Sequence, residues 1–336
     1  MHTNFSPSAW LLNPHIQSVL PSLPGRRFFV ERHAAPMLST SCELIIECGN
    51  DVRLQGFYSS PPLDKELEKI GAKRILVVLL HGWEGSAQSL YIISLAQALH
   101  AQGFAVLRLN LRDHGDTQHW NRELFHSCLL DEVIGAVRGL RILFPERRAV
   151  LVGFSLGGNF IVRVACEAPN AQLDVVRAIG ISSVLDPSTC LVALEDGPSF
   201  YRNYFIHKWI RSLRLKQKAW PLQYDLTELL RCGDLRLMTE KLVLAHSTYS
   251  SMADYFQGYA LTEDRLANLQ VPTTLLTALD DPIIPAVDLG RLARPATLSI
   301  LTLPYGGHCG FFENLQSPSW IDRFVLTELD AVCADV

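Results

Sequence analysis

The stretch VLVGFSLGGN, Val150–Asn159, joins an apolar run to the pattern Gly-x-Ser-x-Gly, and a helical pattern follows it. This form is typical of a nucleophile elbow, a strand-to-helix turn that holds a serine in strained geometry at the end of a strand. Gly153 and Gly157 fall where the chain turns so tightly that a Cβ would clash. The turn exposes the hydroxyl of Ser155 and places the N–H of Leu156 at a helix N-terminus, where it can stabilise an oxyanion. Because Gly-x-Ser-x-Gly is common and also fits a buried turn, the rest of the sequence must decide between the two interpretations.

Composition limits the class of protein. The chain has 336 residues, enough for one large α/β domain or two smaller ones. Apolar residues make up 48% and charged residues 19%, which is typical of a globular enzyme with a sizeable core. The formal net charge of -4 gives no electrostatic basis for binding nucleic acid.

The sequence also indicates the compartment. No apolar run approaches the roughly 18 residues that span a bilayer, so we expect no integral membrane segment. The first residues lack a charged segment followed by an apolar one, so we expect no signal peptide. The eight cysteines are scattered, and we interpret most of them as small buried residues in a reducing compartment. A cytoplasmic location follows as the expectation.

Apolar runs that predict strands alternate with helical patterns along most of the chain. The predicted strands are Cys42–Glu47, Val52–Tyr58, Ile75–Leu80, Phe104–Leu109, Ala149–Val152, Val175–Ile181, Val271–Ala278 and Leu298–Leu303. The predicted helices are Leu90–Gln102, Leu129–Leu143, Phe160–Cys166, Val287–Leu292 and Trp320–Val332. Short connections between these elements predict an α/β fold with a mostly parallel, doubly wound sheet, in which the first two strands form an antiparallel edge. The charged segment Pro61–Ala72 is predicted to be a turn.

Two segments interrupt the alternation. Residues 1–36, rich in proline and aromatic side chains, are predicted to form an irregular arm packed on a core of residues 37–185 and 267–336. Residues 186–266 show helical patterns and no convincing strand, which predicts a helical lid before the next strand. Within this lid, Arg202–Lys218 holds six basic residues and no acidic one. We interpret the basic segment as a solvated cationic face; the alternative is an interfacial helix that makes transient contact with a membrane.

Side chains with the chemistry of a catalytic triad each follow a predicted strand. They occur in the order Ser155, then Asp280 or Asp281, then His308. We expect them to meet, because functional groups of parallel sheets gather at the carboxyl ends of the strands. Serine needs a base to take its proton, histidine titrates near neutral pH, and a carboxylate fixes the tautomer of the imidazole. The pattern Asp-Pro-Ile-Ile-Pro at 281–285 favours Asp281 as the acid, with Asp280 as the alternative.

Further residues complete the predicted site. The loop after the Ile75–Leu80 strand is predicted to supply the backbone N–H of Trp83 as a second oxyanion donor beside that of Leu156. Three residues are candidates for the substrate pocket: His126, Phe154 and Tyr204. His81 is interpreted as a structural residue that hydrogen-bonds the loop.

A polar loop between the Phe104–Leu109 strand and the next helix carries side chains that could bind metal: Asp113, His114, Asp116, His119 and His126. Their spacing fits no standard zinc pattern. We therefore expect no metal and no cofactor, and we expect hydrogen bonds to position His126 at the pocket entrance.

Four stretches share the motifs of one enzyme family. They are WLLNPHIQ at Trp10–Gln17, HGWEGS at His81–Ser86 with Ser89 and Tyr91, FHS at Phe125–Ser127, and GFSLGGN at Gly153–Asn159. With these motifs the chain resembles the YheT-like branch of the α/β-hydrolases, bacterial relatives of the eukaryotic membrane-anchored α/β-hydrolase-domain esterases and lipases. The resemblance implies an α/β-hydrolase fold and hydrolysis of carboxylic esters, with acyl-glycerol or phospholipid esters as candidates.

Three residues depart from the family pattern. Trp83 replaces an expected leucine, Cys128 an expected glycine, and Asp113 the glycine that usually follows the arginine. All three lie on loops near the predicted pocket, so the resemblance does not carry the identity of the substrate.

The leading interpretation is a cofactor-free serine hydrolase acting on small-molecule or lipid-like esters. The same triad also serves thioesterases, acyltransferases and perhydrolases, which differ in the acyl acceptor. A third interpretation is a non-catalytic binding protein with this fold. Intact Ser155, Asp281 and His308 disfavour it, because such proteins usually lose a triad member. The sequence predicts no nucleic-acid partner and leaves the oligomeric state open.

Overall fold

One eight-stranded sheet organises the chain. The computed structural model describes residues 4–62, 72–315 and 318–335, so most of the predicted turn at Pro61–Ala72 lies outside the described residues. The strands are β1 Cys42–Glu47, β2 Arg53–Ser59, β3 Ile75–Leu80, β4 Ala105–Leu109, β5 Arg148–Phe154, β6 Val175–Ile181, β7 Thr273–Ala278 and β8 Leu298–Leu303. Their spatial order is β1-β2-β4-β3-β5-β6-β7-β8. The pairs β1–β2 and β2–β4 are antiparallel and the others are parallel, so the predicted sheet with its antiparallel edge is confirmed.

Helices cover both faces of the sheet. The helices are α1 Pro14–Val19, α2 Arg27–Thr40, α3 Leu90–Ala101, α4 Leu130–Leu143, α5 Leu156–Glu167, α6 Pro187–Asp196, α7 Ser199–Ala219, α8 Thr227–Cys232, α9 Leu235–His246, α10 Met252–Tyr259 and α11 Trp320–Asp335. One core holds α4 and α5 against the sheet, and a second holds α3, α11 and part of α2 against the other face. Every residue of β3 and β4 is buried, as two-sided coverage of central parallel strands requires. The doubly wound prediction is therefore confirmed.

The predicted irregular arm is largely helical, which corrects the expectation for residues 1–36. Its prolines misled the interpretation, because proline is favourable in the first turn of a helix. Pro14 begins α1, and Pro21 and Pro24 each lie at the start of a short 3₁₀ turn. The last helix of the segment, α2, runs through Pro36 to Thr40. We call residues 4–40 the arm.

Five helices, α6 to α10, connect β6 to β7 and confirm the predicted helical insertion before β7. We call these five helices the cap, and we propose that arm, core and cap are the structural units of the chain. The aromatic residues Tyr201, Phe205 and Trp209 recur every four residues on α7 and are at least half buried. The predicted cationic face is only partly correct, because Lys216 on this helix is buried. Within the described ranges, no helix is both long enough and apolar enough to cross a membrane.

Candidate active site

Ser155 occupies a strained turn between β5 and α5. Its backbone has φ 54° and ψ -118°, a conformation that is costly for a residue with a side chain. The surroundings hold it there: its N–H donates to the carbonyl of Ile181 at 2.9 Å, and its carbonyl accepts from the N–H of Val184 at 3.3 Å. A Cβ on Gly153 would overlap the carbonyl of Gly157, so the predicted reason for glycine at this position holds.

A histidine and a carboxylate meet on the loops after β7 and β8. His308 Nδ1 lies 2.9 Å from Asp281 Oδ2. The other oxygen of this carboxylate accepts from the N–H groups of Ile283 and Ile284 at 2.8 and 3.0 Å, which fixes its orientation. Asp280 instead accepts from the N–H of Gly307 at 2.9 Å. Of the two candidate acids, Asp281 is therefore the one that contacts the imidazole.

The histidine loop is tied to the end of β6, beside the serine turn. The N–H of Cys309 donates to the hydroxyl of Ser182 at 3.1 Å, and Ser182 directly follows Ile181, the residue that accepts from the Ser155 N–H. Ser182 and Cys309 both have positive φ, 45° and 61°. Backbone strain of this kind is concentrated at functional sites in proteins. The strained residues bring the histidine loop and the serine turn to one edge of the sheet.

The arm holds the same loop from the outside. The hydroxyl of Ser18 accepts from the N–H of His308 at 2.8 Å. The amide of Gln17 donates to the carbonyls of Leu11 and Phe312, both at 2.9 Å, and accepts from the N–H of Phe312 at 2.8 Å. The motif at Trp10–Gln17 was identified in the sequence only by resemblance. These bonds show that it has a structural role.

The loop after β3 lies against Ser155. A Cβ added to Gly82 would be 3.1 Å from the Cβ of Ser155, so glycine permits the close approach. The N–H groups of Trp83 and Leu156 donate to no other group within the described ranges. Both are therefore available for an oxyanion beside Ser155.

Two buried histidines support this loop. His81 Nδ1 donates to the carbonyl of Gly82 at 2.8 Å, and its Nε2 accepts from the N–H of Leu111 at 3.2 Å. His114 Nε2 accepts from the N–H of Glu84 at 3.1 Å. Burial lowers the pKa of His81 well below its ordinary value and that of His114 to about 4. Both rings are neutral near pH 7, and each has a nitrogen that can accept a bond.

Comparisons with known proteins agree with this geometry. The model of a family described as "Alpha/beta hydrolase family" matches residues 77–319, more than half of the chain. The chain belongs to the α/β-hydrolase family. It is 24% identical to YheT of Escherichia coli (strain K12) over 256 residues, which cover 73% of this chain and 74% of YheT. It is also 24% identical to monoacylglycerol lipase ABHD2 of Danio rerio over 283 residues, which cover 77% of this chain and 66% of that protein.

Solved structures support the fold. The Pyrococcus furiosus esterase Pf2001 aligns with a TM-score of 0.58 at 14% identity, over 88% of this chain and 92% of that chain. The predicted α/β-hydrolase fold and the resemblance to YheT and its eukaryotic relatives are thereby confirmed. The relatives named here are an esterase, described as putative, and a monoacylglycerol lipase.

An apolar cavity of about 130 Å³ opens beside Ser155 in this hydrolase. Ser155, Leu156 and Trp83 line the cavity together with core side chains such as Ile283 and cap side chains such as Leu191. A single water needs roughly 10–15 Å³ by this measure, so the cavity has room for a group much larger than one water. The shape and lining fit an acyl or alkyl chain.

Of the three predicted pocket residues, the structure brings only His126 to the cavity. Phe154 is buried on the opposite face of the sheet, where its ring lies 4.9 Å from that of Tyr91, because consecutive strand residues point to opposite faces. Tyr204 is 47% exposed. It points away from the cavity because it lies one position before the inward-facing Phe205.

Electrostatics assign different protonation states to the two site histidines. Burial lowers the pKa of His308, but the carboxylate of Asp281 and the neighbouring Cys309 raise it, and the result is well above the ordinary value. For His126, burial and the guanidinium groups of Arg112 and Arg163 lower the pKa to about 4. The Nδ1 atom of the neutral His126 accepts from the N–H of Cys128 at 3.3 Å. Its Nε2 therefore carries the proton and can donate to a ligand.

Sequence reasoning missed a buried ion pair behind the oxyanion loop. Lys216 Nζ lies 2.8 Å from Asp113 Oδ1, and both side chains are almost fully buried. Asp113 has φ 57°, a backbone conformation that favours glycine, and glycine is the residue that the family pattern led us to expect there. Its carboxylate is further stabilised by the N–H of Phe125 at 2.9 Å. One signal in the sequence could have indicated this pair: Asp113 stands where the family pattern has glycine, and a buried carboxylate there needs a partner that compensates its charge.

Proposed function

We propose that this α/β hydrolase is a serine hydrolase that cleaves carboxylic esters through an acyl-enzyme on Ser155. The observation that carries the proposal is the 2.9 Å bond between His308 Nδ1 and Asp281 Oδ2 on loops that neighbour the strained serine turn. A base whose Nδ1 donates to a carboxylate has Nε2 free to accept the serine proton.

In the proposed reaction, Ser155 Oγ attacks the acyl carbonyl while His308 takes its proton. The N–H groups of Leu156 and Trp83 stabilise the oxyanion, and each contributes on the order of 3 kcal/mol to lowering the barrier. His308 then gives the proton to the leaving alcohol. Water, activated by the same imidazole, attacks the acyl-enzyme and releases the carboxylic acid. Asp281 keeps the imidazole in the required tautomer and stabilises the imidazolium.

We further propose lipid-like esters, including acyl-glycerols, with the acyl chain in the apolar cavity. The apolar lining supports this substrate class. The name of the D. rerio relative, a monoacylglycerol lipase, supports it independently. We also propose a cytoplasmic location, because the scattered spacing of the eight cysteines suits a compartment in which thiols remain reduced.

A fluorophosphonate probe and p-nitrophenyl esters of graded chain length test the proposal on wild type and Ser155→Ala. Labelling and turnover should both disappear in the variant, and turnover of wild type should peak at a medium chain length. Ser183→Ala is a matched control, because Ser183 is buried near the same turn and its hydroxyl has no hydrogen-bond partner within the described ranges.

Other outcomes separate the alternatives. A folded wild type that the probe does not label would overturn the hydrolase proposal and favour a binding protein with this fold. Labelling without ester turnover would point to a thioester substrate, or to an acyl acceptor other than water. Product analysis with added alcohols or peroxide then distinguishes acyltransferase from perhydrolase.

A further inference from the structure

The outer side of the arm exposes an apolar stripe. Leu12, Ile16, Val19 and Leu23 are 36–42% exposed and are spread over the successive short helical turns of the arm. Isolated exposed apolar residues are ordinary, but several of them within one short segment indicate an interaction site.

Two phenylalanines extend the stripe at the start of α2. Phe28 is 66% exposed and Phe29 is 71% exposed, and their rings pack edge to face at 5.6 Å. Trp10 at the other end of the arm is 48% exposed. Tryptophan and phenylalanine are the side chains that anchor proteins at the boundary between lipid head groups and acyl chains.

The opposite side of the same segment is committed to the enzyme. Gln17 and Leu20 are buried against the histidine loop, and Ser18 contacts His308. The arm therefore has one face that supports the candidate active site and one that has no partner in the described part of the chain.

The charges around the stripe are mostly basic. Residues 4–40 hold three basic side chains, Arg26, Arg27 and Arg32, and one acidic side chain, Glu31, which pairs with Arg27 at 2.6 Å. With Lys216 buried against Asp113, α7 adds five basic residues that are at least partly exposed and no acidic one: Arg202, Lys208, Arg211, Arg214 and Lys218. The whole chain has a net charge of -4, so this basic character is local to the arm and α7. Anionic lipids attract such clusters with about 1 kcal/mol per basic residue near the surface.

The arm and α7 form one continuous surface. His15 Nδ1 lies 3.0 Å from the hydroxyl of Tyr201 on α7. Arg27 from the arm lines the same polar cavity, of about 440 Å³, as Lys208 and Arg211 from α7. The acidic residues Glu84, Asp113 and Asp116 line this cavity too. Apolar anchors and cations thus lie side by side, next to the helix that covers the acyl cavity.

We propose that the outer face of the arm, together with the exposed side of α7, docks on an anionic lipid bilayer. The phenylalanines and the apolar stripe enter the interface, and the arginines and lysines contact lipid head groups. A second copy of the chain is a poorer occupant, because a two-fold interface would bring the same basic groups face to face. Docking would place the cap and the mouth of the acyl cavity at the surface that holds lipid esters. Only this last consequence rests on the proposed function.

Vesicle co-sedimentation of the full chain tests the proposal without any catalytic readout. Wild type should bind vesicles of phosphatidylcholine mixed with phosphatidylglycerol, bind phosphatidylcholine alone more weakly, and lose affinity as salt is raised. The double variant Phe28→Ser/Phe29→Ser should lose about tenfold or more of this binding. Arg27→Gln/Arg32→Gln should weaken binding only to the anionic vesicles.

The matched control is Ile142→Ser/Leu143→Ser at the end of α4, where the two side chains are 78% and 51% exposed. Its binding should equal that of wild type, and thermal unfolding should show that all variants are folded. Equal loss in the control, or no binding by folded wild type, would overturn the proposal. A concentration-dependent dimer that the Phe28→Ser/Phe29→Ser variant abolishes would assign the face to a second copy instead. An enzyme without esterase activity that still binds vesicles would sink the proposed function and leave the docking surface standing.

Discussion

The hydroxyl of Ser18 accepts a 2.8 Å hydrogen bond from the backbone N–H of His308, although 290 residues separate the two in sequence. Ser18 in turn donates to the carbonyl of Pro14 at 2.6 Å. The bond fixes the main chain that carries the candidate base, and it comes from the arm rather than from the sheet. The arm is therefore part of the support of the active site.

Ser18→Ala tests this support. Removing one hydrogen bond from the histidine loop should lower kcat by about tenfold with little change in KM, since about 1–1.5 kcal/mol of positioning is lost. Steady-state kinetics on a p-nitrophenyl ester measures the split, and Ser18→Thr, which keeps the hydroxyl, should restore most of kcat. Ser39→Ala, at an exposed serine of α2 that bonds only its own helix, is the control. A rise in KM with unchanged kcat would contradict a positioning role.

Asp281→Asn and Asp280→Asn distinguish the two aspartates. The first should lower kcat by roughly 10⁴, because the imidazole loses its tautomer and its charge partner. The second should change kcat little, because asparagine Oδ1 can still accept from the N–H of Gly307. Comparable losses in both variants would contradict the assignment of Asp281 as the acid.

The pH profile of kcat/KM reports the state of His308. The base must be neutral, and Asp281 raises its pKa well above the ordinary imidazole value. Activity should therefore rise with pH through a midpoint above about 6.5. In Asp281→Asn the residual activity should still rise with pH, but its midpoint should lie at a lower pH than in wild type, because the carboxylate that favours the imidazolium is gone. If the substitution leaves the midpoint unchanged, the group that titrates in the pH profile is not His308.

Lys216→Met should destabilise the fold by about 3–5 kcal/mol, because it leaves the buried carboxylate of Asp113 without its cation. Urea unfolding measures the loss. Lys218→Met, at an exposed neighbour on the same helix, should have almost no effect. The double variant Asp113→Gly/Lys216→Met should recover much of the stability, since it removes both charges and glycine tolerates the positive φ. Additive losses in the double variant would argue against coupling of the pair.

Acid should destabilise the protein between about pH 6.5 and pH 4 through its buried neutral histidines. The unfolded chain protonates His114 below about pH 6.5, but burial lowers its folded pKa to about 4. The unfolded state thus binds more protons. As the pH is lowered through this range, the free energy of unfolding therefore decreases by up to about 3 kcal/mol because of this residue. Urea unfolding across this range should show a flatter slope for His114→Gln, whose amide oxygen can still accept from the N–H of Glu84. An identical slope would exclude His114 as the source.

Local patterns predicted the sheet and the serine turn well. Strands β1, β6 and β8 have the predicted bounds, and β3 does too, because apolar runs of this length and flanking turns are properties of the sequence itself. Gly153, Ser155 and Gly157 were assigned correctly to a strand-to-helix turn because tight turns limit which residues fit. The order of serine, aspartate and histidine after successive strands also follows from sequence, since parallel strands end at one edge.

Contacts between distant segments were beyond the local patterns. The prolines of the arm were interpreted as irregular structure, although Pro14 begins a helix. Phe154 and Tyr204 were placed in the pocket, but their side chains point to the other face of the sheet and to the outside of α7. Lys216 was expected in solvent, but it pairs with Asp113. The errors at Pro14 and Phe154 concern local rules, the preference of proline for the first helical turn and the alternation of strand side chains. The burial of Lys216 depends on a neighbour in space.

The sequence by itself determined the α/β-hydrolase fold, the strained serine and the set of residues that could form the triad, because these depend on hydrophobic periodicity and on steric limits within short segments. The sequence favoured Asp281 over Asp280, and the tertiary structure shows that Asp281 is the one that contacts His308. The tertiary structure likewise decided that Ser18 supports the same loop and that one face of the arm is left without a partner. These outcomes depend on hydrogen bonds and burial between segments far apart in the chain, and hydrophobic patterning does not encode which of two adjacent polar groups will be turned inward.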